Sequence, residues 1–129
     1  MERLIYTSEA AEGLSGDDVF QIVETSARNN AIRDISGFLI FKDSRFFQLI
    51  EGESDALDGL LRILKGDPRH HSIRMLKRTI SDQREFGGWR MRRFNASDIE
   101  RHVREIAEKI EQPEVRHTIL PMIEEFLAG

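Results

Sequence analysis

The chain contains no cysteine, which removes disulfides, a thiolate nucleophile and cysteine-based metal sites at once. Tyrosine and tryptophan occur once each and proline three times, so any role that needs a phenol falls on Tyr6. No apolar run approaches the roughly 20 residues of a membrane span. The opening MERLIYTSEA lacks the apolar core of a signal peptide, so a cytoplasmic protein with no membrane partner is expected. Charge of neither sign dominates: 19 Lys and Arg against 23 Asp and Glu give a net charge of −4. The basic residues are dispersed among acidic ones, without the stripe that nucleic-acid binding requires, and no nucleic-acid partner is expected. Low-complexity runs are also absent, and 129 residues that are 40% hydrophobic suffice for one folded domain with a real core.

What is present reads as alternating strands and helices. RLIYTS (3–8) is β-branched and aromatic, a first strand. GLSGDDVFQIVETSARNN predicts a helix with Ser15 as N-cap and Asp18 three residues on. Val19, Ile22, Val23, Ser26 and Asn30 share one face, and the helix is expected to end near Asn29–Asn30. ISGFLIF and RFFQLIEG, joined by KDSR, read as a hairpin with its flanking charges where the strand surfaces. SDALDGLLRILKG is a second amphipathic helix, capped by Ser54, with Ala56, Leu57, Leu60, Leu61 and Leu64 inward. DPRHHS reads as a turn, IRMLKRTI as a fourth strand, SDQREFGG as a loop and WRMRRF as a fifth strand.

The order β-α-β-β-α-β is that of a ferredoxin-like α+β fold, here with an added fifth strand. Beyond it, Ile99, Val103, Ile106 and Ile110 form one helical stripe behind a Ser97 or Asn95 cap. A last helix opens at Pro113 with Val115, Ile119, Ile123 and Phe126 on one face. Pro121 is expected to kink or divide it. Strand parity sets Phe46, Gln48 and Ile50 against Phe47 and Leu49, and Phe38 and Ile40 against Leu39 and Phe41. Both faces of the sheet are thus apolar. The first two helices can cover one, and the C-terminal helices are expected to cover the other. The expected division is residues 1–95 as one module and 96–129 as a helical extension packed on its sheet.

Gln48 is out of place among these apolar neighbours, because an unpaired buried amide costs roughly 1–3 kcal/mol. Leu4, Tyr6 and Ser8 share a face of the first strand, so the Tyr6 hydroxyl can meet the Gln48 amide. From those two residues alone, a satisfied core hydrogen bond without function is the simpler reading, and a ligand-facing pair the other. Asn30 alone reads as a helix C-cap. His70 and His71 are adjacent, a poor spacing for a shared metal, with no carboxylate cluster beside them; no metal site is expected, and an anion-contacting loop is second to a solvated turn. Ser15, Ser54 and Ser97 serve as caps, which leaves no free nucleophile for a hydrolase, and no catalytic residue is expected. GLSGD lacks the spacing of a phosphate-binding loop. Trp89 and Met91 alternate onto one strand face, as core or as pocket lining.

Taken together, LIYTS, ARNNAIRDISGFLIF, FFQLIEGE, DPRHHSI and REFGGWRM resemble a BLUF domain, the flavin-binding blue-light receptor module, across residues 1–95. The resemblance implies that Tyr6, Asn30 and Gln48 form the hydrogen-bond network on the flavin ring. It also implies that Trp89 and Met91 are the variable pair near that glutamine, and that Ser8 belongs to the cofactor-binding set. Ser26 is the implied ring-side serine, Ile22 packs on the ring, and Arg69 and His70 lie near the flavin tail. Glu9 departs from the family, whose members often carry a small or apolar residue there.

The resemblance thus implies a photoreceptor, not an enzyme, that binds FAD, FMN or riboflavin noncovalently. Light moves an electron and a proton from tyrosine and rearranges the glutamine. The residues after the module are too few for an enzyme domain, so a stand-alone receptor is expected. It would signal through the C-terminal helices to an effector protein or by self-association into a homo-oligomer. A ferredoxin-like interaction module without flavin is the rival reading, and a colourless protein would mark it.

Overall fold

The computed structural model describes residues 1–14, 16–95 and 99–129. The capping roles expected of Ser15 and Ser97, and the side chains of Val19, Val23, Ser26 and Ile99, lie outside the described residues. The chain forms β1 (Glu2–Ala10), α1 (Gly16–Arg33), β2 (Ser36–Lys42), β3 (Arg45–Gly52), α2 (Ser54–Lys65), β4 (His70–Ile80), β5 (Arg90–Asn95), α3 (Ile99–Lys109) and α4 (Pro113–Ala128). The sheet order is β4-β1-β3-β2-β5. β1 and β3 run antiparallel, with Tyr6 opposite Gln48, and β5 joins the outer edge of β2 in parallel. This is the ferredoxin-like arrangement with a fifth strand added.

Parity divides the core as the alternation requires. Leu4, Tyr6, Leu39, Phe46 and Ile50 face α1 and α2 with Ile22, Leu57, Leu60 and Leu61. Ile5, Phe38, Ile40, Phe47 and Leu49 face the other way, against Ile106, Ile110, Ile119, Ile123 and Phe126 of the C-terminal helical segment. Both faces of the sheet are therefore covered, the second by the helices that follow β5.

Local geometry explains several boundaries. Asp43 and Ser44 both have positive φ, and Lys42 pairs with Arg45, so the hairpin closes in a two-residue type I′ turn whose twist matches the strands. Gly37 is required where it stands: its φ is +152°, and an added Cβ would lie 1.9 Å from the Leu49 carbonyl oxygen.

Other boundaries differ from the sequence expectation. α1 runs past Asn30 to Arg33, and Asp34 (φ 55°) closes it, with the Ile35 N–H on the Asn30 carbonyl at 2.8 Å. That is a Schellman-type end with Asp in place of Gly. Glu53, not Ser54, is the N-cap residue of α2. DPRHHS is turn only at its start, since β4 begins at His70 and accommodates Ser72 (φ 55°) as an irregularity opposite β1. α4 continues through Pro121 without dividing.

Candidate functional site

The centre of the site is built by strand register. Tyr6 and Gln48 are direct cross-strand partners on the face toward α1 and α2. Both are buried, and the Tyr6 hydroxyl donates to Gln48 Oε1 at 2.5 Å. Burial pushes the Tyr6 phenol well above its ordinary pKa, so it stays protonated and remains a donor. The other end of the amide has a poorer partner: Gln48 Nε2 lies 3.6 Å from Met91 Sδ, and a thioether is a weak acceptor. Met91 in turn follows Arg90, whose carbonyl accepts from Asn30 Nδ2 at 3.4 Å. Asn30 is therefore no C-cap but a fully buried helix residue turned onto β5. Tyr6, Gln48 and Met91 are thus linked in series, and Asn30 bonds the backbone one residue before Met91.

Beside Gln48 lies a narrow cleft of about 20 Å³ between α1 and α2, lined by Ile22, Leu39, Phe46, Leu64, Asp67, Arg69 and His70. That volume holds about one water molecule and is far below that of a ligand pocket, so a ring enters only where α1 and α2 part. Around this face, Ser8 Oγ, Asn30 Oδ1 and both ring nitrogens of His70 are buried without a hydrogen-bond partner among the described residues. Such groups normally find partners; the two nitrogens of His70 lie in the cleft lining, and Ser8 Oγ and Asn30 Oδ1 lie outside it on the same side of the sheet. A planar ring with carbonyl acceptors and an N–H donor on its rim, as flavin has, fits this donor and acceptor set. Larger clefts of about 280 and 470 Å³ lie on the α4 side of the sheet. Their linings contain none of these orphaned atoms.

The cleft mouth carries the charge. Asp67 Oδ1 accepts the Arg69 N–H at 2.9 Å, and its two oxygens also take the guanidinium at 2.5–3.0 Å. The Arg69 side chain beside it holds the Asp67 carboxyl below its usual range. Burial lowers the His70 pKa, which favours the neutral ring.

Of the residues expected at the site, Tyr6, Ile22, Gln48, Arg69, His70 and Met91 gather around the cleft, and Ser8 and Asn30 flank them on the same side of the sheet. The Ser26 side chain lies outside the described residues. Trp89 is placed elsewhere. Its spacing predicts one strand face shared with Met91, yet Trp89 precedes β5 and packs on the opposite side of the sheet against Phe86, Phe94 and Phe38 at centroid distances of 5.5, 5.7 and 6.2 Å. The parity fails because Met91 has φ +127° and the β2–β5 register slips after Gly37.

Two features were missed. Asp67 is one; the DPR segment, in which a carboxylate bonds its own backbone two residues on, was its available signal. The other is Glu51. Expected at the surface, it is 1% exposed and bonds Arg3 at 2.8 Å. It also accepts the N–H groups of Glu85 and Phe86.

Residues 1–92 match the family described as BLUF, sensors of blue-light using FAD. The blue light- and temperature-regulated antirepressor BluF of Escherichia coli K12 is 32% identical over 102 residues, 79% of this chain but 25% of that protein. A solved structure of Klebsiella pneumoniae BlrP1 with FMN and cyclic diGMP superposes with a TM-score of 0.86 at 28% identity, over 99% of this chain and 34% of that one. The dark-state structure of the BLUF protein BlrB superposes at 0.76 and 27% identity, over 94% of this chain and 96% of that one. This chain thus spans about a quarter of the antirepressor and a third of BlrP1. With the Tyr6–Gln48 pair at the edge of that cleft and the family match over residues 1–92, this chain belongs to the BLUF family of flavin-binding blue-light sensors.

Proposed function

We propose that the protein is a cytoplasmic blue-light receptor whose switch is the Tyr6–Gln48 hydrogen bond, with residues 1–95 as the flavin-binding module and 96–129 as its output extension. FAD is the flavin that the family description names. The observation that carries the reading is the buried Tyr6 hydroxyl on Gln48 Oε1 at the edge of the cleft. A bound flavin supplies a blue-light-absorbing oxidant. Tyr6 supplies the oxidisable phenol, and its hydrogen bond gives the departing proton one direct acceptor, Gln48. The glutamine amide is asymmetric, with an acceptor at one end and two donors at the other, so turning or tautomerising it reverses what it offers to its neighbours. Among the described residues its Nε2 is bonded to a thioether, a contact that costs little to give up. The site thus stores one bit of information in hydrogen bonding and turns over no substrate.

Output through the C-terminal helices has a physical basis. Glu51, three residues after Gln48 on β3, holds the Glu85 and Phe86 amides at 2.9 and 2.8 Å. The Glu85 carboxylate accepts the amides of Glu111 and Gln112 ahead of α4 at 2.7 and 3.4 Å. An effector protein, or a second copy of this chain, would read the surface of α3 and α4.

The test is absorption of the purified protein before and after blue light. A yellow protein whose flavin bands move slightly to the red and recover in the dark is expected. A colourless protein, or loss of the long-wavelength bands in place of a shift, would overturn the reading.

A further inference from the structure

A cleft of about 470 Å³ opens on the second face of the sheet, between the last turns of α4 and strands β3, β1 and β4. That volume falls within the range of small-molecule sites. We propose that it binds an organic acid, with the carboxylate head held between Arg45 and Arg74 and an apolar body laid on Leu76, Met122 and Phe126. The site lies across the sheet from the Tyr6–Gln48 pair and shares no residue with the cleft beside it.

Strand register builds the charged end. Thr7 pairs with Arg74 on β4 and with Phe47 on β3, and Arg45 stands two residues before Phe47, so all three side chains alternate onto the α4 side. The strands that carry the two arginines flank β1 and lie roughly 10 Å apart, a gap that two such long side chains can close on one small anion. Arg45 gives one N–H to the Phe126 carbonyl at 2.9 Å and lies over the Phe126 ring at 4.7 Å. Those bonds fix the guanidinium and leave the rest of its five donors free. Arg74 is exposed, and its side chain has no hydrogen bond or ion pair among the described residues. Glu9 stands opposite Arg45 in register but turns to His71, at 3.6 Å. The apolar end comes from α4 and a bulge. Leu76 is the extra residue between Lys77, opposite Ile5, and Met75, opposite Tyr6, and it packs with Met122 and Phe126. Against the two cations the cleft lining sets one carboxylate, Glu125. The surplus is a single positive charge, which suits a carboxylate better than a phosphate dianion.

The experiment titrates the full chain in the dark, by calorimetry, with octanoate and with 1-octanol, which has the same chain and no charge. The unaltered protein should bind octanoate about tenfold more tightly than the alcohol, as one charge-assisted contact would give. Arg45 also fastens α4, so the variant of choice is Arg74→Gln, at an exposed and unpaired position. It should leave the thermal midpoint and the flavin spectrum as they are, weaken octanoate about tenfold and leave octanol unchanged. Glu125→Gln should tighten octanoate about threefold at low salt, a gain that fades at high salt. Octanoate bound no better than octanol, an Arg74→Gln protein that binds octanoate as the unaltered one does, or weaker binding in Glu125→Gln would overturn the assignment. So would cosedimentation with phosphatidylglycerol vesicles in the absence of octanoate binding, since the arginines would then serve an anionic membrane surface.

Discussion

Gln48 is 6% exposed, and its two amide ends are treated unequally. Oε1 has a strong donor in Tyr6, while Nε2 has a sulfur as its partner among the described residues. Substitutions should therefore separate photochemistry from binding. Tyr6→Phe removes one hydroxyl and should retain flavin but form no red-shifted state. Gln48→Leu should bind flavin with an altered dark spectrum and no normal photocycle. Asn30→Ala deletes a polar contact away from that pair and should weaken flavin binding by roughly 0.5–1.5 kcal/mol while photochemistry partly survives. Flavin content and light-minus-dark spectra of the three variants decide it; a normal red shift in both Tyr6→Phe and Gln48→Leu would sink the switch assignment.

His70 gives a pH test at the same scale. Burial depresses its folded-state pKa below the unfolded value of 6.5, so between those two values the unfolded chain binds more protons. Its contribution is fully present above about pH 6.5 and is lost as pH falls toward the lowered value. Thermal midpoints of the flavin-free chain should fall across that window, and His70→Phe should flatten the slope there. A slope that persists in the variant would assign the effect to another group.

At the scale of elements, the loop between β4 and β5 is held at its middle by two buried carboxylates, Glu51 on the Glu85 and Phe86 amides and Glu85 on those of Glu111 and Gln112. Removing Glu51 strands Arg3, and breaking such a buried pair typically costs about 3–5 kcal/mol. Glu85→Ala leaves the Glu111 and Gln112 amides without their carboxylate and should cost roughly 1–3 kcal/mol by denaturant unfolding. Glu85→Gln keeps an acceptor oxygen and should recover part of that loss, because a neutral acceptor bonds more weakly than a charged one. Equal losses in the two variants would mean that packing, not these hydrogen bonds, fixes the loop.

This loop also marks where sequence reading stops. Period-two parity placed Tyr6 beside Gln48 and sorted both sheet faces, because hydrophobic alternation reports directly on which side each residue lies. It could not place Trp89 relative to Met91, because a positive φ and a register slip are backbone events that side-chain patterns do not record. Charged strand ends likewise looked solvent-bound, since nothing local in IEG announces that Glu51 will meet Arg3 and two loop amides from 34 and 35 residues away. The helix end at Asp34 was hidden by its residue type, an Asp where Gly is the usual mark.

For the molecule as a whole, the second face of the sheet decides how the parts depend on one another. Phe38, Phe47, Phe94 and Leu49 are fully buried there, against Ile106, Ile119, Ile123 and Phe126. α4 is also fastened by charge: Arg45 donates to the Phe126 carbonyl at 2.9 Å, and Lys42 bonds the Leu127 carbonyl. The two basic residues that flank the hairpin turn thus neutralise the negative end of a helix with no basic residue in its own last turn. A chain ending at residue 95 would lose both the apolar cover and these bonds, and would expose an apolar patch of several hundred Å². It should aggregate or form a new dimer, and its thermal midpoint should fall, even though every residue of the Tyr6–Gln48 pair and the cleft is retained. Lys42→Ala with Arg45→Ala, in the full chain, should lower stability by about 1–2 kcal/mol without changing the flavin spectrum. Sedimentation and thermal melts of both proteins provide the check. A truncated chain that stays monomeric with an unchanged midpoint would show that the sheet's second face does not need these helices, and that α3 and α4 merely rest on a self-sufficient module.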